Sequence, residues 1–225
     1  MLTVFNMTLL KYLRACAICH NYLPPCDWLC SFCWKCVERE YLYSEDCYRL
    51  EKQIPYLRLI DWHEDNHLLI QYLIQSLKGG GPEFIFKRFA LEMFSRILPL
   101  GLWDKNTFPL FLPVPPKNPK DKEHAFSLAK ALNFYFAGEL TQVLQRKISS
   151  SFQKIKNKRE RAKINIIKTR ADFSSSKPII LVDDVLTTGS TAKACWRALN
   201  QPKNFFVFSL VWKKPKQGNR KLNFL

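Results

Sequence analysis

The chain has 225 residues, with 35 lysines and arginines against 19 acids, a formal net charge of +16. Hydrophobic residues make up 47% and aromatics 14%, enough for a packed core and too apolar for an intrinsically disordered chain. The 7 glycines and 13 prolines exclude collagen-like and low-complexity sequence, and the apolar stretch 89–103 is broken by Glu92 and Arg96, well short of a membrane span. The length suits one sizeable domain plus a small satellite. Residues 1–60 are near neutral, so almost all of the surplus charge lies beyond them. A surplus of this size favours polyanionic partners: nucleic acid, anionic lipid or phosphorylated small molecules.

In chain order the first feature is cysteine. Seven of the 8 cysteines fall between Cys16 and Cys47. The first residues are apolar but carry no basic leader, so no secretory signal is read and a cytoplasmic location is expected. Dense cysteines then read as metal ligands before disulfides. Cys16-x-x-Cys19 followed by Cys30-x-x-Cys33 can place four thiolates around a structural Zn²⁺ with no open coordination position. Cys33-x-x-Cys36 is an equally spaced second knuckle, Cys26 is close, and His20 follows Cys19. The pair Cys30 and Cys33 is preferred because Leu29 and Ser31 flank the first thiolate with an apolar and a small polar residue. Residues 1–54 thus read as a Cys-rich, zinc-ribbon-like domain.

A polar stretch, 44–53, leads into Pro55–Trp62, whose β-branched and aromatic content predicts a strand. Residues 66–77 repeat apolar side chains at helical spacing, with Asn66 as N-cap and Gly79 as stop. A second apolar-faced helix is predicted over 83–98, before Pro99. Phe108–Val114 reads as a buried strand, 122–137 as a helix and 140–145 as a further strand. Residues 147–176 are rich in Lys, Arg, Ser and Asn and read as either a mobile functional loop or a disordered segment. Pro178–Val182 is a continuous apolar strand, 190–199 a helix and Phe205–Val211 another apolar strand. Strands alternating with helices predict an α/β fold with a parallel sheet, whose strands are apolar throughout because both faces are covered. Cys195, within the last helix, reads as a small core residue.

The most specific segment joins the apolar strand to that helix. Asp183 and Asp184 end the strand, and Thr187, Thr188, Gly189, Ser190 and Thr191 open the helix. Helix N-termini offer free N–H groups and a positive dipole end, which attract phosphate. Carboxylates at the carboxyl end of a parallel strand stand where such sheets bind ligands, and can accept hydrogen bonds from ribose hydroxyls. The nucleotide P-loop spacing is missing.

This run resembles the 5-phosphoribosyl-1-pyrophosphate (PRPP) motif of type I phosphoribosyltransferases. The resemblance implies that Thr187, Thr188, Gly189, Ser190 and Thr191 hold a 5′-phosphate and that Asp183 and Asp184 hold the ribose hydroxyls. With the cysteine segment, the whole chain is similar to the ComF family, competence proteins with a zinc domain followed by a phosphoribosyltransferase-like domain, here 55–225. Pro113-Val114-Pro115 matches that family's Pro-Val-Pro, which implies a pyrophosphate-side loop of Pro115, Pro116 and Lys117. Leu77-Lys78-Gly79 matches loosely, and Arg146, Gln153, Arg159 and Asn165 fit the spaced residues of the basic loop. Where members often carry Arg-Gly-Phe-Asn, this chain has His124-Ala125-Phe126-Ser127.

The resemblance implies a natural-transformation protein that carries a PRPP site, with Mg²⁺ accompanying the pyrophosphate, and binds single-stranded DNA. Other competence or DNA-processing proteins and the inner face of the cytoplasmic membrane are further expected partners. Between 145 and 170 there are ten basic residues and one acid, more charge than one pyrophosphate requires. Lys147, Lys154, Lys156, Lys158, Arg159, Arg161 and Lys163 are the expected DNA contacts, against the plainer reading of a solvated charged loop. Phe152 and Phe173 could stack on bases, and Lys213, Lys214, Lys216, Arg220 and Lys221 form a second basic cluster. The alternative function is a transferase moving phosphoribosyl from PRPP to an unnamed acceptor.

Overall fold

Buried strands at the centre, with helices on both faces, set the architecture. A computed structural model describes residues 14–16, 18–19, 22–23, 29–41, 48–50, 53–78, 83–101, 107–117, 124–147, 166–169 and 176–213. The elements in order are β1 (Arg14–Ala15), β2 (Tyr22–Leu23), α1 (Ser31–Arg39), β3 (Tyr48–Leu50), β4 (Ile54–Trp62), α2 (His67–Lys78) and α3 (Glu83–Ile97). A short 3₁₀ turn, Leu98–Leu100, follows α3 and contains Pro99. Then come β5 (Leu110–Pro113), α4 (His124–Phe136), β6 (Glu139–Leu140), β7 (Leu144–Arg146), β8 (Ile166–Lys168), β9 (Ile179–Leu186), α5 (Ser190–Ala198) and β10 (Phe205–Lys213).

Six strands form one sheet in the order β3-β4-β10-β9-β5-β6. Every neighbouring pair is parallel except β3 with β4. The expected α/β class, a mostly parallel sheet flanked by helices, is what the chain forms. The central strands explain the apolar runs: Ile179, Ile180, Leu181 and Val182 are all buried, and alternate residues feed opposite faces. On one face Ile180, Val182 and Phe208 pack with residues of α1, α2, α3 and α4. On the other, Ile179, Leu181 and Val207 pack with α5 and the β7–β8 pair.

Several elements differ from the sequence reading. The single strand expected over 140–145 is two strands in two sheets: β6 extends the large sheet beside β5, and β7 pairs antiparallel with β8. Thr141 still donates its N–H to the Phe111 carbonyl, after which the chain leaves the sheet edge. The polar segment 147–176 contains β8, because Ile166 buries its side chain in the core on the α5 face of the sheet. β9 runs through both acids to Leu186, since β10 continues beside it with Ser209 opposite Asp183 and Trp212 opposite Leu186. Asn66 stands at the start of α2, and its carbonyl takes the Ile70 N–H. Its side-chain oxygen instead accepts from the His63 N–H, so it closes the incoming turn rather than the helix. Gly79 lies outside the described residues.

The segment before residue 54 joins the same cores. Trp34 of α1 stacks near Phe89 of α3, with ring centroids 5.6 Å apart. Arg88 lies 3.5 Å over the Trp34 ring and ion-pairs with Glu38. Tyr41 bridges to Ile60 of β4, and β3 forms the sheet's antiparallel edge. Among the described residues no helix is long and apolar enough to cross a membrane.

Candidate functional site

The parallel strands β5 and β9 lie side by side, and their carboxyl ends open into a cavity of about 400 Å³. Asp183 and Asp184 enter it from β9, and Val114, Pro115, Pro116 and Lys117 form a strap across it from the end of β5. Arg146 from β7 and Lys78 from the last turn of α2 add cations, and His124 and Ala125 close it at the start of α4. The sheet therefore converges two carboxylates and three cations on one small space. Burial holds the Asp183 carboxyl well above the ordinary carboxylate range, and the adjacent Asp184 charge and hydrogen bond push it further the same way. Asp184 is anchored differently: its Oδ1 accepts the Val185 N–H at 2.9 Å. Two neighbouring acids of this kind are suited to cations or hydroxyl donors.

Arg146 ties the site together. Its Nε donates to the Pro115 carbonyl at 3.1 Å and its Nη2 to Thr191 Oγ1 at 3.5 Å. One guanidinium thus links the strap to the start of α5. The sequence placed Arg146 only among the spaced basic residues, and did not single out Lys78 or His124 as ligands. Nothing local marks them, because they reach the cavity from separate helices.

The hydroxyl turn lies beside the cavity without lining it. Thr187 and Thr188 are exposed, and Thr188 Oγ1 and Ser190 Oγ share a hydrogen bond of 2.7 Å. Gly189 precedes α5 with φ of 70°, a left-handed conformation that L side chains adopt at a cost. It is buried, and a Cβ there would meet Leu50 of β3 at 3.1 Å. The missing Cβ leaves room for the Leu50 side chain. Thr191, half-buried in the first turn of α5, meets the cavity's lining through Arg146.

A second cluster lies in the cysteine segment. The sulfurs of Cys16, Cys19, Cys30 and Cys33 all lie within 4.8 Å of one another. A tetrahedral zinc with bonds of about 2.3 Å needs sulfurs roughly 3.8 Å apart, and Cys19 Sγ and Cys30 Sγ are separated by 3.7 Å. The quartet therefore fits a metal ion. Burial alone would raise the Cys16 thiol, but the N–H groups of Cys19, Cys30 and Ile18 bring it down to about 7. Burial pushes the Cys33 thiol up. Cys30 also caps α1, its sulfur accepting the Cys33 N–H. Cys36 is half-buried on α1 and outside the quartet. Cys26 and His20 lie outside the described residues. Cys195 is fully buried on α5, where the apolar surroundings and Asp183 raise its thiol.

Of the basic segment, Lys147 is exposed directly after β7. Lys154, Lys156, Lys158, Arg159, Arg161, Lys163, Gln153, Asn165, Phe152 and Phe173 lie outside the described residues. β7 and β8 bracket 148–165 as an antiparallel pair. Lys213 sits with its Nζ 3.9 Å over the Trp62 ring, and Lys214, Lys216, Arg220 and Lys221 lie outside the described residues.

No family model matches the chain, and no curated protein matches it. Among solved structures, a hypoxanthine phosphoribosyltransferase from Staphylococcus aureus is similar over 60% of this chain and 75% of its own, at 16% identity and a TM-score of 0.38. The site is therefore read from its own residues.

Proposed function

We propose that the cavity at the carboxyl ends of β5 and β9 binds PRPP, and that the protein uses this site in handling single-stranded DNA during natural transformation. The observation that carries the ligand reading is the convergence of Asp183, Asp184, Lys78, Arg146 and the Pro115–Lys117 strap on one cavity. In this reading Asp183 and Asp184 accept the ribose hydroxyls, Lys117 and Arg146 face the pyrophosphate, and the start of α5 takes the 5′-phosphate. Mg²⁺, when bound, neutralises pyrophosphate charge, and the acid pair offers oxygen ligands of the right kind.

The DNA reading rests on the charge of the chain and on the ten basic residues between 145 and 170. In support of this reading, β7, which precedes most of these residues in the chain, carries Arg146 into the same cavity. Zinc in the cysteine quartet would be structural. An alternative, an active transferase releasing pyrophosphate, draws on the same cavity and is tested by screening bases and amines for pyrophosphate release. The decisive experiment replaces the native gene by the Asp183→Asn/Asp184→Asn form and measures transformation frequency. A steep fall at unchanged protein level is expected. Wild-type frequency would separate the ligand site from any role in DNA uptake.

A further inference from the structure

The parallel strands have two ends, and the acids and strap occupy only one. At the amino end lies a separate cavity of about 340 Å³. Ile54 opens β4 and Phe205 opens β10; both are buried and supply its apolar floor. Trp196 of α5 forms a wall, and Arg49 of β3 and Lys203, just before β10, stand at the rim. The volume is within the usual range of small-molecule sites, roughly 300–1,000 Å³.

Each group has a defined capacity. Trp196 Nε1 donates to the Pro202 carbonyl at 3.1 Å, which fixes the indole and uses its only donor. What remains for a ligand is ring surface. Arg49 and Lys203 are exposed, and among the described residues neither is paired with a carboxylate. Among the described residues no acid lines the cavity. The rim is also shaped at a conformational cost. Asn200 and Gln201 have φ of 62° and 57°, two successive left-handed residues that are not glycine. The Gln201 N–H closes α5 onto the Trp196 carbonyl at 2.9 Å, so the rim is tied to the aromatic wall. Non-glycine residues held in this region cluster where sites are built.

We propose that this cavity binds a nucleotide, with the base against Trp196 over the apolar floor and the phosphate between Arg49 and Lys203. An aromatic plane gives sequence-tolerant contact with any base, and paired cations hold the phosphate. A free mononucleotide and one nucleotide of a single strand share this chemistry. The site is at the opposite end of the sheet from the PRPP cavity and does not depend on that reading.

The test follows the Trp196 indole N–H resonance of the zinc-loaded, isotope-labelled full chain, assigned with Trp196→Phe. The probes are thymidine monophosphate, a short oligothymidylate, thymidine and inorganic phosphate. A saturable shift with the mononucleotide or the oligothymidylate is expected. A larger response to the oligothymidylate at equal nucleotide concentration identifies a strand as the source; a larger response to the monophosphate identifies a free nucleotide. Arg49→Glu with Lys203→Glu, both exposed positions, should weaken binding by about tenfold or more at unchanged melting temperature. The proposal fails if neither nucleotide form moves the resonance, if inorganic phosphate alone moves it equally, or if the charge-reversed protein binds as wild type does.

Discussion

Asp183 shows how much chemistry one position can hold. It enters the cavity from a central strand, next to Asp184, shares that cavity with Arg146, and its charge raises the buried Cys195 thiol. Its carboxyl is held above the ordinary range, so the folded protein binds a proton there that the unfolded chain releases more readily. The stabilising contribution is thus complete at low pH and is lost as pH rises through the folded-state value. Asp183→Asn should therefore raise the melting temperature of the ligand-free protein at about pH 7–8, with the gain vanishing near pH 4. Thermal denaturation across that range checks it; an equal effect at every pH would mean the site does not carry this strain. The acid pair and its hydroxyl turn were legible in the sequence because the signal is contiguous. Arg146, Lys78 and His124 were not legible as one group, because only the tertiary fold brings α2, α4 and β7 together.

Elements explain the rest of what the sequence hid. The cysteine quartet could be read from spacing, since both knuckles are local and Cys30 itself caps α1. The β7–β8 pair could not, since its partners are separated by a long polar segment and only Ile166 and Leu144 are buried. β3 was equally hidden in a polar stretch, yet Leu50 packs under Gly189. The knuckles hold α1 in place, and α1 presents Trp34 and Glu38 to Phe89 and Arg88 of α3. Metal binding in a small module supplies folding energy, on the order of 10 kcal/mol for structural zinc. Cys16→Ser should reduce bound zinc from one equivalent toward none, measured by atomic emission, and lower the melting temperature by several degrees or more. Full zinc content in that variant would remove Cys16 from the site.

At the scale of the molecule, charge is spread unevenly along the chain. The first 60 residues are nearly neutral, and the remainder carries almost all of the +16. If the segment after β7 tracks a phosphate backbone, affinity for single-stranded DNA falls with salt at a log–log slope of about −0.7 per contact. Neutralising Lys154, Lys156, Lys158 and Arg159 together should flatten that slope; an unchanged slope would place the strand elsewhere. Cavities open at both ends of the sheet's strands, and among the described residues the one lined by Asp183 and Asp184 combines acids with cations. That combination is the centre of the account. Calorimetric titration of PRPP with Mg²⁺ into wild type and into Asp183→Asn/Asp184→Asn tests it most directly. The account predicts a saturable site in the wild type that disappears from the folded double variant. A wild type that takes up no PRPP, or a double variant that binds it equally well, would contradict it.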